Sequence, residues 1–151
     1  MEAYYDVFQQ GQSKTILATS MVAIDLVWKG ARGERALEVN KEAIERGTSV
    51  HRVFIFPSQA QLDAADAQEY LRRQSDAGVD VWYVLAVKLS IDLHRDFVVT
   101  NNDVAIEFRV DTDGNMVEGA LSCVGHKAEE YRKIFRQIHS AAAKFMPVAP
   151  G

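Results

Sequence analysis

The side chains best suited to chemistry gather in the stretch Ile91-Asp92-Leu93-His94-Arg95-Asp96-Phe97-Val98-Val99-Thr100-Asn101-Asn102-Asp103. The imidazole of His94 and the carboxylate of Asp96 precede a short apolar run of β type, and the amide of Asn101 follows it. Imidazole and carboxylate converging on one pocket can serve as nucleophile, general base and orienting partner. The other reading of His94 is a histidine at a strand entrance, satisfied by Asp92 or Asp96. A second polar pair, Thr19 and Ser20, ends the β-type run of residues 13–20, and open α/β sheets gather ligand groups at strand ends. Trp28 either closes the core or walls a pocket. His51, His126 and His139 have no metal-ligand spacing with another His, Cys or Asp, so no metal site is expected. Cys123 lies in an apolar run with no adjacent base and reads as a core thiol. Gly30-Ala31-Arg32-Gly33 lacks the spacing of a phosphate-cradling loop, and no cofactor is expected.

The elements that must hold these groups follow from periodicity. Tyr4, Tyr5, Val7 and Phe8 suggest a short first helix ended by Gly11, and residues 13–20 a first strand. Residues 21–33 read as a loop or helical turn. Residues 34–46 form an amphipathic helix with Ala36, Leu37, Asn40, Ala43 and Ile44 on one face, stopped by Gly47. The β-branched and aromatic run of residues 49–56 is a buried central strand ended by Pro57. Ser58 caps one helix running to about residue 77, before Gly78 turns the chain into a strand over residues 79–89. Strand, helix, strand at this spacing gives a β-α-β crossover and a parallel start to the sheet. Two turns, Asn101-Asn102-Asp103 and residues 111–115, then separate short β runs at 97–99, 104–110 and 116–124, which adds antiparallel strands. Tyr131, Ile134, Phe135, Ile138, Ala142 and Phe145 recur at helical spacing, so residues 127–145 form a closing helix on the sheet.

Composition bounds the function. A chain of 151 residues that is 48% hydrophobic has material for one core and is too short for two ordinary domains, giving a domain at 1–146 and a tail at 147–151. A net charge of −4 supplies no excess of Lys and Arg for phosphate backbones, which argues against nucleic acid as a partner. The single cysteine excludes an internal disulfide and suits a reducing cytoplasm. The first residues have no basic start and no long apolar segment, and no run approaches the roughly 20 apolar residues that span a bilayer. Cytoplasmic localisation without a membrane partner is the expectation.

The central stretch resembles the signature of the phospholipase D superfamily, His-x-Lys, four mostly apolar residues, then Asp. His94 falls on the histidine, Asp96 on the lysine and Asn101 on the aspartate. Ser13-Lys14-Thr15-Ile16-Leu17-Ala18-Thr19 looks like that family's opening strand. Ala43-Ile44-Glu45-Arg46-Gly47-Thr48-Ser49-Val50 before Arg52-Val53-Phe54-Ile55 looks like its helix, glycine turn and second strand, and Ala77-Gly78-Val79 like the turn before its third. The resemblance, over nearly the whole chain, implies a three-layer α/β/α fold with a mixed sheet. In that family one motif's histidine attacks phosphorus, the other's protonates the leaving group, and lysines hold phosphate oxygens. A chain with one motif therefore implies a homodimer with the site on its two-fold axis.

The departures from that signature argue against its chemistry. Asp96 replaces a cation by an anion, removing a charge-assisted bond of roughly 1.5–3 kcal/mol and adding repulsion of similar size. Asn101 removes the carboxylate that would orient the histidine. Of the glycine, serine and asparagine that usually follow the motif, Gly119-Ala120-Leu121-Ser122 offers only Gly119 and Ser122. The expectation is a catalytically degenerate phospholipase D-like domain, homodimeric, acting as a ligand-binding, sensory or protein-interaction module. Its ligand-contact candidates are His94, Asp96, Asn101, Ser20, Ser122 and Trp28, toward a small molecule or a protein. The alternative is a phosphodiesterase or nuclease working as a homodimer through His94, with Arg95 or Lys88 replacing the lysine. A third reading is a regulatory domain whose DNA-binding part is another subunit, with the proline-containing tail as a linker.

Overall fold

The computed structural model describes residues 13–21, 30–110, 116–122 and 125–147. The expected first helix, the loop carrying Trp28, the turn at 111–115 and Cys123 lie outside the described residues. Within them the order is β1 (Thr15–Met21), α1 (Ala31–Glu45), β2 (Ser49–Phe56), α2 (Gln59–Asp63), α3 (Ala65–Asp76), β3 (Asp80–Leu85), β4 (Asp96–Thr100), β5 (Ala105–Val110), β6 (Met116–Ser122), α4 (Gly125–Ala141) and β7 (Ala143–Lys144).

One seven-stranded sheet runs β6-β5-β4-β1-β2-β3-β7. The parallel ladders β1 with β2 and β2 with β3 form its centre, and β4, β5, β6 and β7 pair antiparallel. Strand residues alternate between faces. On one face Ile16, Ala18, Phe54, Phe56 and Val98 pack against Val39 and Ala43 of α1, Leu62 of α2 and Leu71 of α3. On the other, Val53, Ile55, Phe97 and Val99 pack against Ala128, Phe135 and Ile138 of α4. The fold is α/β with helices on both faces of a mixed sheet, as the periodicities require. Among the described residues no helix is long and apolar enough to cross a membrane.

Punctuation by glycine holds at two turns. Gly47 and Gly78 adopt φ of +95° and +96°, the left-handed region that disfavours a Cβ. At Gly78 an added Cβ would also meet Ile44 Cγ2 at 3.2 Å.

Among the boundaries that differ from the sequence expectation, four have a visible physical reason. Helix α1 starts three residues early, at Ala31, where the Glu34 N–H reaches the Gly30 carbonyl at 3.2 Å and closes the first turn. The single helix expected after Ser58 is two, because Ala64 is extended (φ −60°, ψ 137°) and the Gln68 side chain donates to the freed Leu62 carbonyl at 2.7 Å. Strand β3 ends at Leu85, opposite Phe56, the last residue of β2; beyond it the apolar run has no ladder on that side and folds into two 3-10 turns, Ala86–Lys88 and Ile91–Leu93. Helix α4 ends at Ala141, and Ala143–Lys144 pairs with Tyr83 and Trp82 on the β3 edge. Phe145 follows that extended path, its N–H donating to the Val81 carbonyl at 2.9 Å.

Candidate functional site at the strand ends

The loop from β3 to β4 has to cross β2 and β1, because β4 lies on the far side of β1. It therefore passes over the carboxyl ends of the central parallel strands, and its last residues enter β4 beside the end of β1. The register puts Thr19 opposite Phe97. Ser20 and Asp96 then share one level and one face.

Three polar groups meet there. Arg52, on central strand β2, is only 1% exposed, and its Nη1 donates to the buried Ser20 Oγ at 2.9 Å. Asp96 is half-buried, and its Oδ2 accepts from the Met21 N–H at 3.3 Å. Burial pushes the Asp96 carboxyl up to about 7, with the Arg52 charge and the Met21 amide opposing the rise. The carboxyl thus exchanges its proton near neutrality in a place where a full charge is poorly solvated. On the other face, Thr19 Oγ1 donates to the Arg95 carbonyl at 2.7 Å and accepts from the Phe97 N–H at 3.2 Å, fixing the entry into β4.

His94 bonds partners other than the two carboxylates anticipated. Its Nε2 lies 2.8 Å from the Ala86 carbonyl and 3.3 Å from the Leu89 carbonyl, rather than on Asp92 or Asp96. Carbonyl oxygens only accept, so Nε2 carries the hydrogen, and a neutral ring keeps its lone pair on Nδ1. The ring ties the two ends of the first 3-10 turn to the start of β4. Arg95, the first substitute for a phosphate clamp, is committed elsewhere: its Nε and Nη2 donate to Glu107 at 2.7 and 2.9 Å, its guanidinium lies 5.2 Å from the Tyr131 ring centre, and Tyr131 also donates to Glu107. The Glu107 carboxylate raises the Arg95 pKa and keeps it charged. Lys88, the second substitute, is exposed on the first 3-10 turn.

The remaining candidates are not brought together. Asn101 sits in the turn after β4, and its Oδ1 accepts from the N–H groups of Lys14 and Thr15 at 2.8 and 2.9 Å. Ser122 pairs with Ala105, itself opposite Val99. Both belong to the end of the sheet where β1 begins, about 16 Å along the strand from Ser20. Trp28 lies outside the described residues. Among the described residues no three His, Cys, Asp or Glu side chains converge as a metal site.

Sequence reading missed Arg52. Its signal was a single cation inside the apolar run Val50–Phe56, since a buried guanidinium must meet acceptors, and Ser20 and Asp96 stand at the ends of the two strands that could provide them. It also missed His51, whose Nδ1 lies 2.8 Å from Asp80 Oδ2 at the opposite end of the sheet.

Comparison with other proteins adds a family and two folds. Residues 21–147 match the family model described as "Domain of unknown function (DUF6879)". No curated protein matches the sequence. Among solved structures, the archaeal chromatin protein TrmBL2, reported to show a novel mode of DNA binding, superposes with a TM-score of 0.60 at 9% identity over 95% of this chain and 50% of that one. The polyphosphate kinase of Porphyromonas gingivalis superposes with a TM-score of 0.64 at 11% identity over 96% of this chain and 25% of that one. This chain therefore spans half of the first protein and a quarter of the second, and at such identities the likeness is one of fold.

Proposed function

The chain belongs to the DUF6879 family, and from that premise we propose that it is a non-catalytic module of phospholipase D-like type, a cytoplasmic homodimer that works by binding a small ligand or a protein partner. The observation that carries this reading is the state of His94. A histidine that donates Nε2–H to two backbone carbonyls is a structural tie, and Arg95, a substitute for the missing lysine, is engaged by Glu107. Asp96, at the lysine's position in the motif, lies beside the enclosed Arg52 and Ser20. An anionic substrate would meet a carboxyl group there, and as that carboxyl ionises near neutrality the repulsion grows.

What remains is a polar group at the carboxyl end of a parallel sheet, the place where such sheets bind ligands. Arg52 and Ser20 are enclosed beneath it, and the half-buried Asp96 supplies a donor or an acceptor according to its proton. Hydrogen-bonding recognition without bond cleavage is the chemistry these side chains support.

The test is turnover of bis(p-nitrophenyl) phosphate by the full chain, with acid-quenched and base-quenched samples probed for phosphohistidine. The expected result is hydrolysis no faster than that of a His94→Gln chain, and no phosphohistidine in the wild type. Hydrolysis that disappears in His94→Gln while the circular dichroism is kept, or a trapped phosphohistidine at His94, overturns the reading in favour of a phosphodiesterase.

A further inference from the structure

The loop between β3 and β4 repeats itself with opposite charge: Ala86-Val87-Lys88-Leu89 is followed by Ser90-Ile91-Asp92-Leu93. Each half forms a 3-10 turn at its apolar and charged residues. In each the second residue is a large apolar side chain left 84% exposed, Val87 and then Ile91. In each the third is an exposed charge, Lys88 and then Asp92, and the fourth is a leucine packed with the core beneath α4. Each half is closed by its own bond, the Leu89 N–H to Ala86 O at 3.0 Å and the Leu93 N–H to Ser90 O at 2.9 Å, and His94 ties the end of the second half back to Ala86 and Leu89 of the first. Two large apolar side chains are thus held in water on a pinned loop instead of folding inward with their leucine neighbours.

We propose that this loop is the contact surface for a second copy of the same chain, arranged about a two-fold axis so that Val87 meets Ile91 and Lys88 meets Asp92 of the partner subunit, and the reverse. A two-fold contact requires a patch that complements itself. Equivalent positions of the two four-residue halves carry one cation and one anion, so antiparallel apposition satisfies both charges twice, whereas a partner of single sign would leave one of them facing its like. The chain as a whole carries a charge of −4, so two copies repel in general, and this patch is locally neutral. The apolar centre is small, which places the dimer at the weak end of specific association, in the micromolar range or above. The inference rests on the homodimer of the proposed function and is independent of whether His94 is catalytic.

Sedimentation velocity of the full chain, from about 1 µM to several hundred µM at low and high salt, tests it. The expected result is a monomer–dimer equilibrium that weakens about 100-fold in a Val87→Asp, Ile91→Asp chain. Lys88→Glu alone and Asp92→Lys alone each weaken it about tenfold at low salt, and the chain carrying both reversals regains wild-type dimerisation. All four side chains are exposed, and circular dichroism checks that each variant folds. A monomer throughout the range overturns the surface and the homodimer together. A dimer indifferent to these substitutions, or one not regained by the double reversal, overturns the surface alone.

Discussion

At the scale of single residues, Asp96 is, among the described residues, the group whose environment departs most from its type. Its folded pKa of about 7 lies above the ordinary carboxylate value, so between the two the folded chain holds a proton that the unfolded chain has released. The sign follows: the group's contribution is complete below about pH 4 and is lost as pH rises through 7, a swing of up to about 4 kcal/mol. Asp96→Asn cannot ionise. It is expected to flatten the pH dependence of urea unfolding between pH 5 and 8 and to be more stable than the wild type at pH 8. An unchanged slope would mean that Asp96 is ionised throughout and paired with Arg52. Arg52 shows why composition alone hides such a place, since one arginine in an apolar strand looks like an interruption until Ser20 and Asp96 are seen at the neighbouring strand ends.

At the scale of elements, the β4–β5 hairpin is held by its turn rather than by its strands alone. Thr100 Oγ1 accepts from the N–H groups of Asn102 and Val104, and Asp103 takes φ +62°, a conformation that aspartate tolerates better than most residues. Arg132 of α4 donates to the Thr100 carbonyl and to Asp103, fastening the turn to the helix. Asn101 joins the same turn to the start of β1. Asn101→Ala leaves the Lys14 and Thr15 amides to water, and because the site is exposed the expected cost is about 1 kcal/mol. Hydrogen exchange should rise at the first residues of β1 and stay unchanged at the β3 edge. Unaltered exchange at Thr15 would remove Asn101 from this structural task and return it to the ligand candidates.

At the scale of the whole molecule, the sheet is guarded at the β3 edge by the segment after α4. An unpaired edge invites another strand. Here Ala143 and Lys144 take that place, Phe145 packs against the core, and Lys144 lies 3.7 Å from Asp80. A chain ending after Ala142 is expected to melt lower and to form species larger than a dimer, as read by light scattering across a concentration series. A truncated chain that stays as small as the full one would show that α4 alone protects the edge. The same segment is where the helical pattern of residues 127–145 misled: Ala142 and Phe145 sit at helical spacing, but Phe145 reaches the core from an extended chain.

Much of the architecture is local information, and local information is written in the sequence. Strand β2, the glycine turns, the Asn101-Asn102-Asp103 hairpin and the amphipathic faces of α1 and α4 each follow from the period, branching and turn chemistry of their own residues. What tertiary structure decided is everything that depends on a neighbour. Strand β3 ends where β2 stops offering a ladder, the β3 edge converts the tail of α4 into a strand, and the crossing of the β3–β4 loop assigns His94 to two carbonyls. The same crossing sets Asp96 beside Arg52 and leaves Asn101 and Ser122 at the other end of the sheet. Spacing along a chain says which residues can share a strand, whereas the order and direction of strands decide which of them share a pocket.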